Sequence, residues 1–425
     1  MSICIPKKDI TNENIERMEK SLMISNESKK KTQRNKNYYF EPPKIPFFRG
    51  DESTKNLMIP FYWGRSYFGK KYIPSYPKIE FEFQGNLREE QKELEKESLE
   101  HIYENNSSLI AVYPGGGKTI TSLSILSKLE RRTLIIVNKI VLVEQWKDSI
   151  QRFLGIEPFL IGGKNCKIKN NSIYIINAIN IPKHDLSSLG IGCVIIDECH
   201  LILTTVFSQG LFYLNPQYLI GLSATPYRSD GFDSLFDLYF GIHRVHRSLY
   251  RPHQVLQIIT NTKIDHTLDK QGNINWNSVI DQQCKLESRR DLICNYCLEY
   301  KDRNILILCK RIQQMLNIYE ILKEKGENIC IFKESDTTFN TDCRILVSSY
   351  QKVGTGFSFD KLDMLILGTD TEEYFLQYLG RVFRRLDVKP IVIDIVDSHP
   401  ILMKHFNSRR KIYRETGGVI QKKIL

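Results

Sequence analysis

An apolar run, Leu109-Ile110-Ala111-Val112, passes through Tyr113-Pro114 into three glycines, Gly115, Gly116 and Gly117, and then Lys118-Thr119 opens a helix-compatible segment to Leu129. A strand, a glycine turn and a helix in that order leave few folds open. The strand belongs inside a sheet, and the turn sits at its carboxyl end. Glycines let backbone N–H groups approach phosphate oxygens, and the helix start favours an anion. In such a loop Lys118 reaches the β- and γ-phosphates, and the Thr119 hydroxyl ligates Mg²⁺. The strict pattern G-x-x-x-x-G-K-[ST] is broken once, by Val112 where its first glycine belongs.

Around this loop lie short β-branched runs separated by helical stretches: Leu109–Val112, Thr133–Val137, Ile173–Ile176, Cys193–Asp197 and Tyr218–Ser223. A second series follows at Ile305–Cys309, Ile329–Phe332, Ile345–Ser349, Met364–Leu367 and Ile391–Val396. Buried strands alternating with helices predict α/β architecture: two tandem parallel-sheet domains, of which only the first carries the phosphate loop. The expected division is 85–250 and 281–425, joined by a polar linker over 251–280. Leu87 to Tyr103 reads as a charged amphipathic helix leading into the first domain.

Ahead of these domains the chain changes character twice. Residues 1–37 are polar and end in Lys29-Lys30-Lys31-Thr32-Gln33-Arg34-Asn35-Lys36, which reads as a solvated tail or a phosphate-binding arm. Residues 38–84 are rich in aromatics and prolines, with Arg65, Lys70 and Lys71 interleaved. Such an extension either packs its rings on the following domain or stacks them on bases. Across the chain, Lys plus Arg (60) exceeds Asp plus Glu (49), which points to a polyanionic partner. No apolar run approaches the ~18 residues of a membrane span, and the start lacks a secretory apolar region. The 10 cysteines, scattered mostly singly, fit reduced thiols in an intracellular compartment. Cys294-Asn295-Tyr296-Cys297 has no second pair at zinc spacing and reads as part of an amphipathic helix.

The chemistry-bearing residues follow strand ends. Cys193-Val194-Ile195-Ile196 runs into Asp197-Glu198-Cys199-His200, an acidic pair suited to Mg²⁺-ATP: Asp197 holds the metal and Glu198 polarises the attacking water. The next strand ends in Ser223-Ala224-Thr225-Pro226, two hydroxyls beside that pair.

The order of these motifs resembles a superfamily 2 helicase or translocase of the DExH group, over about residues 80 to 420, with Asp197-Glu198-Cys199-His200 as its box. Leu87-Arg88-Glu89-Glu90-Gln91 resembles the adenine-recognition motif, carried by Arg88 and Gln91. Asn138 to Trp146 is similar to the first nucleic-acid-contacting motif, Gly221 to Gly231 to motif III, Leu306 to Arg311 to motif IV, and Ser349 to Phe357 to motif V. Gln377-Tyr378-Leu379-Gly380-Arg381-Val382-Phe383-Arg384 matches motif VI, Q-x-x-G-R-x-x-R, in full. Within the superfamily the likeness is to the branch holding the TFIIH repair translocase, the phage recombination helicase and the poxvirus transcript-release helicase. Asp394-Ile395-Val396-Asp397 followed by Arg409-Arg410-Lys411-Ile412-Tyr413 points the same way. The lysine-, asparagine- and isoleucine-rich style suggests a large cytoplasmic DNA virus.

The resemblance implies RecA-like domains, ATP and Mg²⁺ as cofactors, and a nucleic-acid partner, DNA favoured over RNA. The ATP site would comprise Arg88, Gln91, Gly115, Gly116, Gly117, Lys118, Thr119, Asp197, His200, Ser223, Thr225 and Gly356, with Thr119 and Asp197 on the metal. Glu198, Gln377, Arg381 and Arg384 would be catalytic, the two arginines meeting the γ-phosphate. Lys139, Gln145, Arg311 and Tyr350 would contact nucleic acid. Transcription or replication machinery is the implied protein partner, with no membrane; a viral protein of this kind would work in a cytoplasmic factory or the virion. Motif V departs from the branch, with Ser358 in its aspartate's place and Asp360 out of register. That departure keeps two other readings open: an RNA helicase, and a nucleic-acid-binding regulatory module on a degenerate helicase scaffold.

Overall fold

The computed structural model describes residues 1–25, 44–51, 54–203, 211–225, 232–336, 338–354, 359–372, 375–385 and 387–425. The chain forms two compact units, Met1–Val112 with Gly116–Arg247 and Ser248–Leu425 with Tyr113–Gly115.

The first unit begins with an N-terminal module of short strands, β1 (Ser2–Pro6), β2 (Met23–Ile24), β3 (Ile45–Pro46), β4 (Arg49–Asp51) and β5 (Asn56–Pro60). β5 lies between β1 and β4, both antiparallel to it, and β2 pairs with β3. Between β1 and β2, a helix over Asn12–Leu22 is capped at Thr11, whose hydroxyl accepts from Asn14 N while Asn14 Oδ1 accepts from Thr11 N. A solvated tail over 1–37 therefore does not describe residues 1–25. Ile3, Ile5, Met18 and Leu22 are fully or almost fully buried, in one core with Leu211, Leu235 and Phe236. The apolar spacing is present, at Ile15, Met18 and Leu22 of that helix, but the lysine-rich stretch after residue 28 masks it when the segment is read as a whole. The lysine run itself lies outside the described residues.

The aromatic segment packs on its neighbour. A helix over Phe61–Phe68 buries Phe61 against the helix Ser234–Phe240, and the Phe47 ring stands 6.4 Å from Phe232. Two of its interleaved cations have structural partners. Arg65 Nη2 donates to the Glu104 carbonyl and Lys70 Nζ to the Tyr103 carbonyl at 3.2 Å. Both sit at the C-terminal end of the helix Glu89–Asn105, where cations oppose the helix dipole.

The sheet of this unit contains β6 (Ser107–Val112), β7 (Thr133–Val137), β8 (Phe159–Ile161), β9 (Ile173–Asn177), β10 (Cys193–Ile196), β11 (Tyr218–Ser223) and β12 (Arg244–Arg247). The spatial order is β12-β6-β11-β10-β7-β9-β8, and every pairing is parallel. β6, β7 and β10 are buried at every position, as strands covered on both faces require. Because β6, β11 and β10 are neighbours, the phosphate loop, the Ser223–Thr225 turn and the acidic pair emerge side by side from one end of the sheet.

The second unit repeats the plan with β13 (His253–Lys263), β14 (Ile305–Cys309), β15 (Ile329–Phe332), β16 (Ile345–Ser349), β17 (Met364–Leu367), β18 (Ile391–Ser398) and β19 (Gly418–Ile424). Its order is β15-β16-β14-β17-β18-β13-β19, again all parallel. The linker expected over 251–280 is overturned: β13 fills its first half, between β18 and β19, and a helix over Trp276–Lys285 closes it. Gln254, Gln257, Thr260 and Asn261 disguise β13 as polar chain.

Cysteine chemistry differs from expectation at one place. Cys330 of β15 and Cys343, just before β16, form a disulfide with Cα atoms 6.1 Å apart, and the other eight cysteines are thiols. Cys294 and Cys297 are buried in the helix Glu287–Glu299, where burial raises both thiols above their ordinary range. That is the reverse of what a thiolate ligand needs.

Candidate nucleotide-binding site

The loop after β6 has the backbone its glycines permit. Gly115 and Gly117 adopt φ of +85° and +86°, a region that side chains other than glycine's rarely occupy. At Gly117 space is also closed, since a Cβ would stand 2.1 Å from Gln91 Nε2. Lys118 is the first residue of the helix Lys118–Leu129, with Nζ donating to the Val112 carbonyl at 2.8 Å; half-buried Thr119 follows. Gln91 and Arg88 form the start of the helix Glu89–Asn105: Gln91 Oε1 accepts from Arg88 N at 2.9 Å and from Arg88 Nε at 3.2 Å. The Gln91 amide nitrogen is buried with no acceptor among the described residues. A polar donor held beside the phosphate loop in that state is a ready partner for a heterocycle nitrogen.

Across the strand ends stands the acidic pair. Asp197 is 7% exposed; Oδ1 accepts from Glu198 N at 2.9 Å and Oδ2 from Trp146 Nε1 at 2.9 Å. Burial, reinforced by the Glu198 charge, pushes its carboxyl up to about 6, against the pull of the Trp146 hydrogen bond and Lys118. Glu198 adopts φ of +48°, a strained region for a residue with a side chain. His200 Nδ1 lies 3.5 Å from Glu198 Oε2 and 3.0 Å from Ser223 Oγ, which in turn accepts from Thr225 N at 3.0 Å. One histidine thus links the acidic pair to the next strand's hydroxyl turn. Lys139, the residue before the helix Ile140–Leu154, is pushed down by lost solvation while the Glu198 charge opposes the shift. Gln145 is half-buried on the same helix.

In the second unit the structure brings the motif VI residues to motif V. Gln377 is buried in the helix Phe375–Val382, and Arg381 Nη2 donates to the Gly354 carbonyl at 3.1 Å. Arg384 Nη1 pairs with Asp360. Gly356, like Ser358 and the stretch 226–231 of motif III, lies outside the described residues. Arg311 is bound by Asp281 at 2.7 Å and Asn277 at 3.0 Å. Tyr350 is buried, with its hydroxyl donating to the Thr369 carbonyl at 2.5 Å. Neither is poised as a loose surface contact. Two participants escaped the sequence: the Trp146 indole, read only as part of a motif, and Asp360, set aside as out of register.

Comparison with known proteins meets this geometry at several points. The family described as "Type III restriction enzyme, res subunit" matches residues 84–228. "Putative helicase 161L" of Invertebrate iridescent virus 6 is 36% identical over 374 residues, covering 81% of this chain and 85% of its own. The chain belongs to the superfamily 2 helicases. It is an ATP-dependent helicase or translocase, and its partner is nucleic acid. "DNA 3'-5' translocase XPB2" of Sulfurisphaera tokodaii is 24% identical over 366 residues, covering 72% of the helicase and 81% of that protein. Yeast Dbp5, solved "bound to RNA and ADP BeF3", superposes with a TM-score of 0.55 over 80% of this chain and 94% of its own, at 14% identity. That likeness shows the fold, two RecA-like sheets. Among the described residues no helix is long and apolar enough to cross a membrane.

Proposed function

We propose that this helicase is a DNA translocase that remodels or unwinds its substrate, driven by Mg²⁺-ATP. The observation that carries the ATP half is the convergence of the Gly115–Thr119 loop, Asp197-Glu198 and the His200–Ser223 link at the ends of three adjacent strands. The donor set fits Mg²⁺. Among the described residues no group of three or more His, Cys, Asp or Glu side chains is placed to hold a metal ion by itself. Mg²⁺ in such enzymes is held by one or two protein oxygens plus phosphates and waters. Thr119 and Asp197 would be those oxygens, and the metal would neutralise charge on the phosphates.

Most of the remaining candidate residues then have a task. Lys118 leaves the Val112 carbonyl for the β- and γ-phosphates, and Gln91 with Arg88 takes the adenine. Glu198 accepts a proton from the attacking water, and His200 with Ser223 and Thr225 senses the outcome. Arg381 and Arg384 stabilise the transferring phosphoryl group. Lys139, Gln145, Arg311 and Tyr350 belong to the nucleic-acid side, Tyr350 as a support and Arg311 after release from Asp281. DNA is favoured by the relative named as a DNA translocase. Viral relatives support a viral helicase; a place beside transcription or replication machinery, in a cytoplasmic factory or the virion, completes the same proposal.

The deciding experiment measures ATP hydrolysis with duplex DNA, single-stranded DNA and RNA at one fixed salt concentration, since phosphate contacts make affinity fall steeply with salt. Stimulation by DNA over RNA supports the reading. Stimulation by RNA alone would replace it with an RNA helicase, and DNA binding without stimulation would replace it with a regulatory scaffold.

A further inference from the structure

The helix Ile140–Leu154 buries Leu142, Trp146, Ile150 and Leu154, one apolar stripe at four-residue spacing. A stripe of that kind needs only bulk at each position. At 146 it holds instead a 1% exposed indole whose N–H donates to Asp197 Oδ2 at 2.9 Å. A buried indole N–H must find an acceptor, and one bonded to a carboxylate is charge-assisted. With Oδ1 already taken by Glu198 N at 2.9 Å, the second bond stops the carboxylate from rotating. The same helix is preceded by Lys139 and carries Gln145 beside the indole.

We infer that Trp146 is a positioning residue: it orients Asp197 for Mg²⁺ and ties the metal site to the helix that meets nucleic acid. The inference rests on the assignment of Asp197 to the metal made above. A shift or turn of that helix on nucleic-acid binding moves the indole, and the carboxylate follows. Partners that hold a metal ligand from behind typically contribute about 10–100-fold in metal affinity. Hydrophobic filling alone would contribute nothing to it.

The test titrates Mg²⁺ into the full chain with a fluorescent ATP analogue, taking binding in EDTA as reference, for wild type, Trp146→Phe and Asp197→Asn. Trp146→Phe should raise the half-saturating Mg²⁺ about tenfold while metal-free nucleotide binding stays at its wild-type value in protein that remains folded at the assay temperature. It should also reduce the gain in Mg²⁺-nucleotide affinity that duplex DNA produces. A Mg²⁺ requirement within twofold of wild type in folded Trp146→Phe overturns the role of Trp146. If Asp197→Asn keeps the wild-type requirement, the underlying metal assignment fails, a different result. Should Trp146→Phe not fold, the indole N–H resonances of the wild type serve, identified through Trp63→Phe and Trp276→Phe. The Trp146 signal should move when Mg²⁺ joins bound nucleotide, and a signal that stays in place overturns the inference.

Discussion

The two units carry the same seven-stranded parallel plan, yet the charges at their strand ends are managed in opposite ways. In the first, Asp197 is raised to about 6 by burial and by Glu198, Glu198 itself is held at φ of +48°, and the Gln91 amide lacks an acceptor among the described residues. In the second, buried charge is compensated. Arg409 grips Asp394 with two bonds of 2.8 Å and Asp370 with one of 2.7 Å, and Arg289 meets Asp397 at 2.6 Å. A motor needs both. Groups left short of partners gain most when a charged ligand arrives, whereas a rigid body that transmits motion needs its charges already neutralised.

That contrast is broken first at the reacting groups. Glu198→Gln should lower turnover by about 10²–10⁴-fold while still binding ATP, as expected for loss of a general base. Arg384→Ala, on the second unit, should cost about 10³-fold if its guanidinium stabilises the transferring phosphoryl. Steady-state hydrolysis with saturating DNA, alongside nucleotide binding, separates the two. Wild-type-like hydrolysis by Glu198→Gln would remove the first unit's chemistry from the account.

The second unit should fail differently, through stability. Arg409→Met leaves Asp394 and Asp370 buried without their cation, and breaking a buried pair on one side costs about 3–5 kcal/mol. Urea unfolding should show that loss, with the first unit's nucleotide binding retained. A midpoint within error of wild type would mean that these charges are not buried in solution.

Much of this was legible in the chain, and the misses share a cause. Strands buried on both faces announce themselves, and all ten runs expected as strands are strands, with shifts of a residue or two at their ends. β13 and β19 do not. β19 is Gly-Val-Ile-Gln-Lys-Lys-Ile at an exposed edge, and only its register with β13, His253 opposite Gly418 through Ile259 opposite Ile424, makes it a strand. In the candidate site, residues defined by type and spacing, such as Lys118 and Asp197, could be named from the chain alone. Asp360 and the Trp146 indole were not, because their roles lie in contacts with residues distant in sequence. The ending Asp394…Arg409…Tyr413, read as a family mark, turns out to be one bonded cluster: Tyr413 also donates to Asp394 at 2.9 Å.

A smaller effect separates the units by pH. Burial alone would raise Asp370, but its bond to His405 and the Arg409 charge outweigh burial and hold it below its ordinary 3.8. A carboxyl lowered in the folded state stabilises above its unfolded value and loses that contribution as pH falls through the folded one. The second unit should therefore lose stability below about pH 4. Asp370→Asn should flatten that dependence between pH 5 and 3 in urea titrations.

The smallest effect tests whether the contrast has one exception. Arg384 is one of two second-unit cations with a proposed task at the phosphates, and the side chain of Asp360, which it pairs with, is 78% exposed. Pairs so open to water contribute at most about 1 kcal/mol and weaken with salt. Asp360 thus holds Arg384 weakly, unlike the two buried carboxylates that lock Arg409. Asp360→Asn should change DNA-stimulated kcat or the KM for ATP by less than about sixfold, with the difference shrinking as salt rises. A change of 100-fold that salt does not touch would make Asp360 part of the reacting site, and the second unit would then hold uncompensated chemistry of its own.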